Sequence, residues 1–342
     1  MAVMQIAAVR VRTVIAASPQ QSPIFKCAGL SLDNRVVRTN CEASFAGSPR
    51  NSGMVRTTKG IDSAIMLTAQ SLLFVPGHRP DRFGKAAAAG AGLTVIDLED
   101  AVPAADKPAA RLAALAQFGE AGSALPAWGL RINPVTTAAG IADLAVLGEA
   151  AVLPPVLLIP MVENPLELKI VANALGSRAP GLVPMIETPA GLRVAHQIGQ
   201  APCVIALMFG GGDFSAELGV ALAWEPLVAA RSQLVMAAAE ARVPAIDVPF
   251  IMLDDQDGLA DEARRARQLG FAAKAAIHPA QLPAIHQAFQ PTDAEVAEAR
   301  EALAAYAAGG GQAIRFKGRM LEAPFIRRYQ AVLEARNRKS HA

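Results

Sequence analysis

From residue 71 onward the chain alternates short, strongly apolar runs with longer stretches in which alanine dominates. The runs are SLLFVP (71–76), LTVIDLED (93–100), AWGLRIN (127–133), VLLIPMV (156–162), LVPMIE (182–187), VIALMFG (204–210), PAIDVPF (244–250) and AAKAAIHP (272–279). Each has strand length and β-rich composition, with turn formers or polar residues at its borders. The segments between them hold 16 to 33 residues, enough for one crossover helix each. Eight such units in sequence predict a (β/α)8 barrel rather than an open sheet. The pattern divides the chain into an N-terminal extension (1–65), a barrel (66–290) and a C-terminal helical extension (291–342).

The polar residues are not scattered evenly along these runs. Their first halves are apolar, and their last residues carry Pro76-Gly77 before Arg79, then Glu99 and Asp100, Arg131 and Asn133, Glu187, Gly210 to Asp213, Asp247 and His278. Chemistry in a (β/α)8 barrel sits at the C-terminal ends of the strands, so these residues are expected at one mouth. Acids after strands also serve as helix N-caps. Asp97 lies inside its run, where an internal hydrogen bond and a catalytic role are equally open. Glu187 closes a strand ahead of Thr188-Pro189, and Asp213 follows three glycines, Gly210, Gly211 and Gly212, whose backbone can approach a ligand closely. Two carboxylates on neighbouring strand ends suit a hard divalent cation, with water and substrate oxygens completing its shell. No His/Cys set has zinc spacing, which favours Mg2+, with Mn2+ as a substitute. Arg131 reads either as a structural ion pair or as a planar fork for a substrate carboxylate. Arg79 and Lys85 flank a helix start, where cations and free N–H groups favour anions such as phosphates. His278 is equally a packed histidine.

Composition narrows this further. Of 342 residues, 52 % are hydrophobic and 5 % aromatic, an alanine-rich make-up that favours helices. A net charge of +2 gives no field for nucleic acid or an anionic membrane surface. No charge-free apolar run reaches the length of a membrane span. The 3 cysteines, Cys27, Cys41 and Cys203, have no metal-ligand spacing and read as reduced thiols in a cytosol-like compartment. Residues 1–65 hold 8 Lys/Arg against 3 Asp/Glu and no sustained period. They read as a disordered extension, with Met54 or Met66 as an alternative start, or as a transit peptide to the mitochondrial matrix.

The segments SLLFVPGHRPDRFGKAAAAGAGLTVIDLEDAVPAADKPAAR, LRINP, MIETPAG, FGGGDFSAELG, AIDVPF and AAIHPAQL together resemble the HpcH/HpaI aldolase and citrate lyase β-subunit superfamily. The resemblance runs in order from about residue 70 to 338, and the tail KGRMLEAPFIRRYQAVL resembles malyl-CoA and citramalyl-CoA lyases in particular. It implies a trimeric or hexameric TIM barrel that cleaves or forms 3-hydroxyacyl-CoA thioesters with Mg2+, yielding acetyl-CoA and an α-keto acid. It further implies Glu187 and Asp213 as metal ligands, with Glu99 and Asp100 behind them. Arg131 would grip the keto acid carboxylate, and Arg131, Asp100 and Glu322 form the catalytic set. Phe74, Arg79, Lys85 and Gly212 match positions that hold the substrate and its CoA moiety, and Ile246-Asp247 a pair near the thioester. Glu322 falls where the lyases place an acid contributed by a neighbouring subunit. Three positions depart from the family pattern: Met161 stands for a lysine, Met252 for an acid with Asp254 and Asp255 following, and Glu322 for an aspartate. These departures keep a thioesterase, a CoA-independent aldolase and a non-catalytic CoA-ester-binding protein as alternatives.

Overall fold

A computed structural model describes residues 69–121 and 128–338. The expectations for residues 1–65, including Cys27 and Cys41, lie outside them. The eight predicted strands all form: β1 (Ser71–Pro76), β2 (Leu93–Asp97), β3 (Trp128–Arg131), β4 (Val156–Ile159), β5 (Gly181–Ile186), β6 (Leu207–Phe209), β7 (Ala245–Asp247) and β8 (Ala273–Ala276). They pair in chain order, every pair is parallel, and β8 closes on β1. The helices around them are α1 (Phe83–Ala87), α2 (Lys107–Ala121), α3 (Ala138–Glu149), α4 (Pro165–Leu175), α5 (Pro189–Arg193), α6 (Ala195–Gly199), α7 (Gly211–Leu218), α8 (Trp224–Ala241), α9 (Gln256–Leu269) and α10 (Leu282–Phe289). The expected (β/α)8 barrel is therefore the architecture. No helix among the described residues is long and apolar enough to cross a membrane.

Alternation along each strand splits the core into two layers. Leu72, Leu93, Val95, Val156, Leu158, Val183, Met185, Met208 and Ile246 fill the barrel interior. Their neighbours one residue on, such as Leu73, Ile96, Leu130, Leu157 and Phe209, pack outward against the helices. The same parity decides where the charges go. Asp97 shares the inward face of Leu93 and Val95, and Asp247 follows inward-facing Ile246 and so points outward.

The strands are shorter than the apolar runs suggested. LTVIDLED stops being strand at Asp97 because the Asp97 carboxylate accepts the N–H groups of Glu99 (2.9 Å) and Ala101 (3.3 Å) and turns the chain. The acids of that run thus sit on a loop that their own aspartate creates.

Beyond the barrel lie α11 (Asp293–Ala308), a hairpin of β9 (Ile314–Phe316) and β10 (Arg319–Leu321), and α12 (Ala323–Arg338). Thr292 and Glu295 form a capping box that starts α11. Gly310 and Gly311, at φ 71° and 76°, make the turn after it. Leu321 and Ile326 bury against Ala302 with Tyr306 and Tyr329 around them, and Tyr329 donates to Glu298 at 2.7 Å. The tail therefore docks on α11 of its own chain.

Candidate active site

The cavity at the C-terminal mouth has a volume of about 440 Å3 and contains residues from β1, β2, β3, β5 and β6 and the loops after them. Phe74, Asp97, Asp100, Arg131, Glu187, Gly212 and Asp213 line it, with Met185, Met208 and Val248 as its apolar wall. With Pro76 and Gly210, nine of the residues singled out in the sequence thus converge here. Parity explains most of it, since Phe74, Asp97, Arg131 and Glu187 continue the inward faces of their strands.

Arg131 sits directly beside Asp97 in the β2–β3 register. Its Nε and Nη2 donate to the two oxygens of Asp97, both at 2.7 Å, a bidentate pair. Its Nη1 lies 2.6 Å from Glu99 and 3.7 Å from Asp100, and its carbon Cζ stands 5.0 Å from the Phe74 ring centre. Of the two readings of Arg131, the ion pair is the one present, made through Asp97. The side chain remains in the cavity wall. Burial works against the Arg131 charge, but the hydrogen bond and attraction from Asp97 outweigh it and hold its pKa above the usual arginine value.

The carboxylates outnumber this one guanidinium. Burial, followed by repulsion from Glu187, Asp100 and Asp97, lifts Glu99 to a pKa of about 8 against the pull of Arg131. Burial likewise lifts Glu187 to about 7, with Asp213 and Asp100 adding repulsion, while the Met161 N–H and Arg131 oppose the rise. One Glu187 oxygen accepts the Met161 N–H at 2.6 Å. Met161 adopts φ 55°, a left-handed conformation unusual for a residue with a side chain, and so turns that N–H onto the carboxylate. On its other side Glu187 presses on Gly210, where a Cβ would come within 2.2 Å of the carboxylate. Glu187 does not cap the following helix; Thr188 does, accepting from Gly191 at 3.0 Å. Asp213 lies in the first turn of α7 and is exposed.

The donor set is one for a hard cation: carboxylate oxygens in excess, with no His or Cys in the cavity wall. Among the described residues no group of three or more His, Cys, Asp or Glu encloses a metal position. Glu187 and Asp213 both line the cavity, each with a carboxylate that could serve a hard cation.

A second cleft of about 630 Å3 adjoins the cavity and shares Phe74, Pro76 and Ile277 with it. Arg82, Lys85 and His278 line it. Lys85 lies in the last turn of α1, past the helix start expected for it. Arg79 does not line this cleft; its guanidinium makes an exposed bidentate pair, at 2.9 and 2.7 Å, with Asp81, which does. Arg82, three positions before Lys85, takes its place. The His278 Nδ1 accepts from the Ala280 N–H at 3.2 Å and caps the short turn Pro279–Gln281.

Three expected site residues lie elsewhere. Asp247 is fully buried on the outer face of β7, bonded to Arg231 at 2.8 Å and Lys274 at 2.7 Å. Ile246 is packed inside the barrel and does not line the cavity. Glu322 is also absent from the walls of this cavity. Its carbonyl accepts the Phe325 and Ile326 N–H groups at 3.0 and 3.2 Å at the start of α12, as a cap would. Met252 is 60 % exposed on the loop after β7.

Residues 70–279 match the family model described as HpcH/HpaI aldolase/citrate lyase, and residues 224–335 one described as C–C bond lyase of the TIM-barrel fold. The chain is similar to a citrate lyase subunit beta-like protein of Deinococcus radiodurans, 34 % identical over 77 % of this chain and 96 % of the relative. It is also similar to the mitochondrial citramalyl-CoA lyase of Mus musculus, 29 % identical over 77 % of this chain and 85 % of that one. Among solved structures, protein CitE from Mycobacterium tuberculosis in complex with magnesium, acetoacetate and coenzyme A matches with 31 % identity and a TM-score of 0.70, covering 79 % of this chain and 99 % of that one.

Proposed function

The chain belongs to the HpcH/HpaI aldolase/citrate lyase family, and on that footing we propose that it is a Mg2+-dependent acyl-CoA lyase. It cleaves a 3-hydroxyacyl-CoA thioester of the malyl-, citramalyl- or citryl-CoA type, reversibly, to acetyl-CoA and an α-keto acid. The observation that carries this reading is the cavity itself, where Asp97, Asp100, Glu187 and Asp213 share the wall with the single guanidinium of Arg131 and Glu99 pairs with it from behind. So large an excess of acid calls for a divalent cation. When bound, Mg2+ would supply positive charge that stabilises the alkoxide developing as the 3-hydroxyl proton is removed.

Glu187 and Asp213 hold the ion, and Glu99 and Asp100 add negative charge and hydrogen-bond acceptors behind them. Asp97 occupies two of the five N–H donors of Arg131 and Glu99 faces a third, which leaves two for the keto acid carboxylate. Asp100 takes the 3-hydroxyl proton as the C2–C3 bond breaks, and the acetyl-CoA enolate carbon is then protonated. Gly212 lets the backbone approach the substrate, and Phe74 forms the wall common to both pockets. The basic cleft with Lys85 and Arg82 holds the CoA phosphates.

Glu322 serves a neighbouring copy in a homotrimer or homohexamer. Met320 and Phe325, 66 % and 45 % exposed, flank it and give the hairpin an apolar surface to lay on that neighbour. Glu322→Ala and Arg131→Ala chains, each inactive alone, should recover part of the activity when co-assembled with two affinity tags. Mixed assemblies that stay inactive would sink the shared site. The activity itself is tested with malyl-, citramalyl- and citryl-CoA plus Mg2+, measuring keto acid and free thiol separately. Keto acid without thiol is the expected result. Thiol without keto acid would make the protein a thioesterase, and neither product a binding protein.

A further inference from the structure

We infer that Lys107 is a positioning residue that holds the acidic loop after β2 in its working shape. The inference deepens the proposed lyase reading and rests on it for the roles of Glu99 and Asp100. Lys107 opens α2, is partly buried, and makes no ion pair among the described residues, although its charge acts on Asp100. Its ammonium donates instead to the carbonyls of Leu98 and Glu99, both at 2.8 Å, and to the Asn133 Oδ1 at 2.7 Å. Three protons meet three neutral oxygens, which accounts for the whole donor capacity of a lysine.

What stands behind these oxygens gives the contact direction. The Asn133 Nδ2 donates to the Leu98 carbonyl at 3.0 Å and to Asp143 at 2.7 Å, so the amide oxygen has to face Lys107. Asp143 also accepts the Asn133 N–H at 2.7 Å and is gripped by Arg111, one turn beyond Lys107 on α2. Arg111, Asp143, Asn133 and Lys107 therefore form a relay of fixed groups from α2 and α3 to two consecutive carbonyls of the loop. Those carbonyls belong to the peptides on either side of the Glu99 side chain and next to Asp100. With them held, Glu99 lies 2.6 Å from Arg131 and Asp100 faces the cavity.

A planar guanidinium cannot aim three protons at three converging oxygens as an ammonium does, so charge alone will not replace Lys107. The tests are Lys107→Met, which keeps the stem and loses the ammonium, and Lys107→Arg, which keeps the charge and guards against a variant that fails to fold. Residues that orient groups at a metal site typically contribute about 10- to 100-fold to affinity or turnover. Both variants are expected to lose kcat by that range, with KM for the thioester within about twofold, because the CoA cleft is built by other loops. Mn2+ binding by calorimetry, without thioester, should weaken by at least about fivefold. Hydrogen exchange at residues 98–102 should accelerate in Lys107→Met. Two results would overturn the inference: kcat and Mn2+ affinity unchanged in either folded variant, or a loss confined to thermal stability. If the wild-type chain itself bound no Mn2+ and cleaved no thioester, the lyase reading would fail. The clamp would then be judged by exchange alone, with unaltered exchange in Lys107→Met against it.

Discussion

Two pairs of neighbouring strands carry an acid directly beside a base, and the two pairs have opposite fates. On β2 and β3, Asp97 and Arg131 are register partners on the inner face of the barrel. On β7 and β8, Asp247 and Lys274 are register partners on the outer face. The outer cluster balances: Arg231 and Lys274 meet Asp247 and Glu262, and Lys274 donates at 2.7 Å to both acids and to the Val248 carbonyl. The Arg231 Nη1 and Nη2 make no hydrogen bond among the described residues, Nη2 standing 3.7 Å from Glu262, while its Cζ lies 4.8 Å from the Trp224 ring centre and 5.5 Å from that of Phe209. Burial alone would raise the Asp247 pKa, but Lys274 and Arg231 overcome it and hold the carboxyl below its usual range. The inner cluster does not balance, and Glu99 and Glu187 are pushed up to about 8 and about 7. A balanced buried cluster supports the barrel wall; an unbalanced one at a cavity is a place for a cation. Pairing by itself separates neither case from the other.

The comparison can be broken from either side. Lys274→Met leaves Asp247 buried with Arg231 alone, and should cost about 3–5 kcal/mol of stability in urea titration. A loss below about 1 kcal/mol would show that the outer cluster is not a support. Arg131→Lys keeps the charge but loses the fork, and should lower kcat/KM by about 30- to 1000-fold, equivalent to about 2–4 kcal/mol. A fall of less than about threefold would leave Arg131 with only its structural partner. Glu187→Gln should remove Mg2+-dependent turnover while leaving the fold intact, and full activity in that variant would end the metal assignment.

The pH dependence gives the sharpest contrast. Glu99 and Glu187 have folded pKa values above the carboxylate value of 4.5, so the folded chain binds more protons than the unfolded one between 4.5 and about 8. Their contribution to the stability of the metal-free protein is thus present below 4.5 and lost as pH rises through about 7 and about 8. Mg2+ should flatten that slope by replacing the protons. Asp247, with its pKa lowered, contributes in the opposite sense: its share is held above the usual carboxylate range and lost only on acidification. A metal-free melting curve that stays level from pH 5 to 8 would count against the imbalance.

Much of this was legible from the chain. The eight strands and their chain-order pairing followed from apolar runs and spacing, and Phe74, Asp100, Arg131, Glu187, Gly212 and Asp213 reached one cavity because strand ends share one mouth. Counting alternation would also have turned Asp247 away from the cavity, since it is one residue after inward-facing Ile246. Lys107 and Arg111 left only the weak signal of two cations four apart at the start of a helix, which solvated surfaces show as well.

What the sequence determined by itself was therefore the set of elements and the pole at which chemistry collects, because both depend on local periodicity and chain order. The tertiary structure decided which charges meet. Arg79 went to Asp81, while Arg82 joined Lys85 at the cleft. Asp97 closed on Arg131, Lys107 on the two loop carbonyls, and the tail with Glu322 on α11 rather than on its own cavity. Hydrogen-bond partners and burial depend on distances of a few ångströms between segments far apart in the chain. Residue types and spacing carry no record of those distances until the barrel closes.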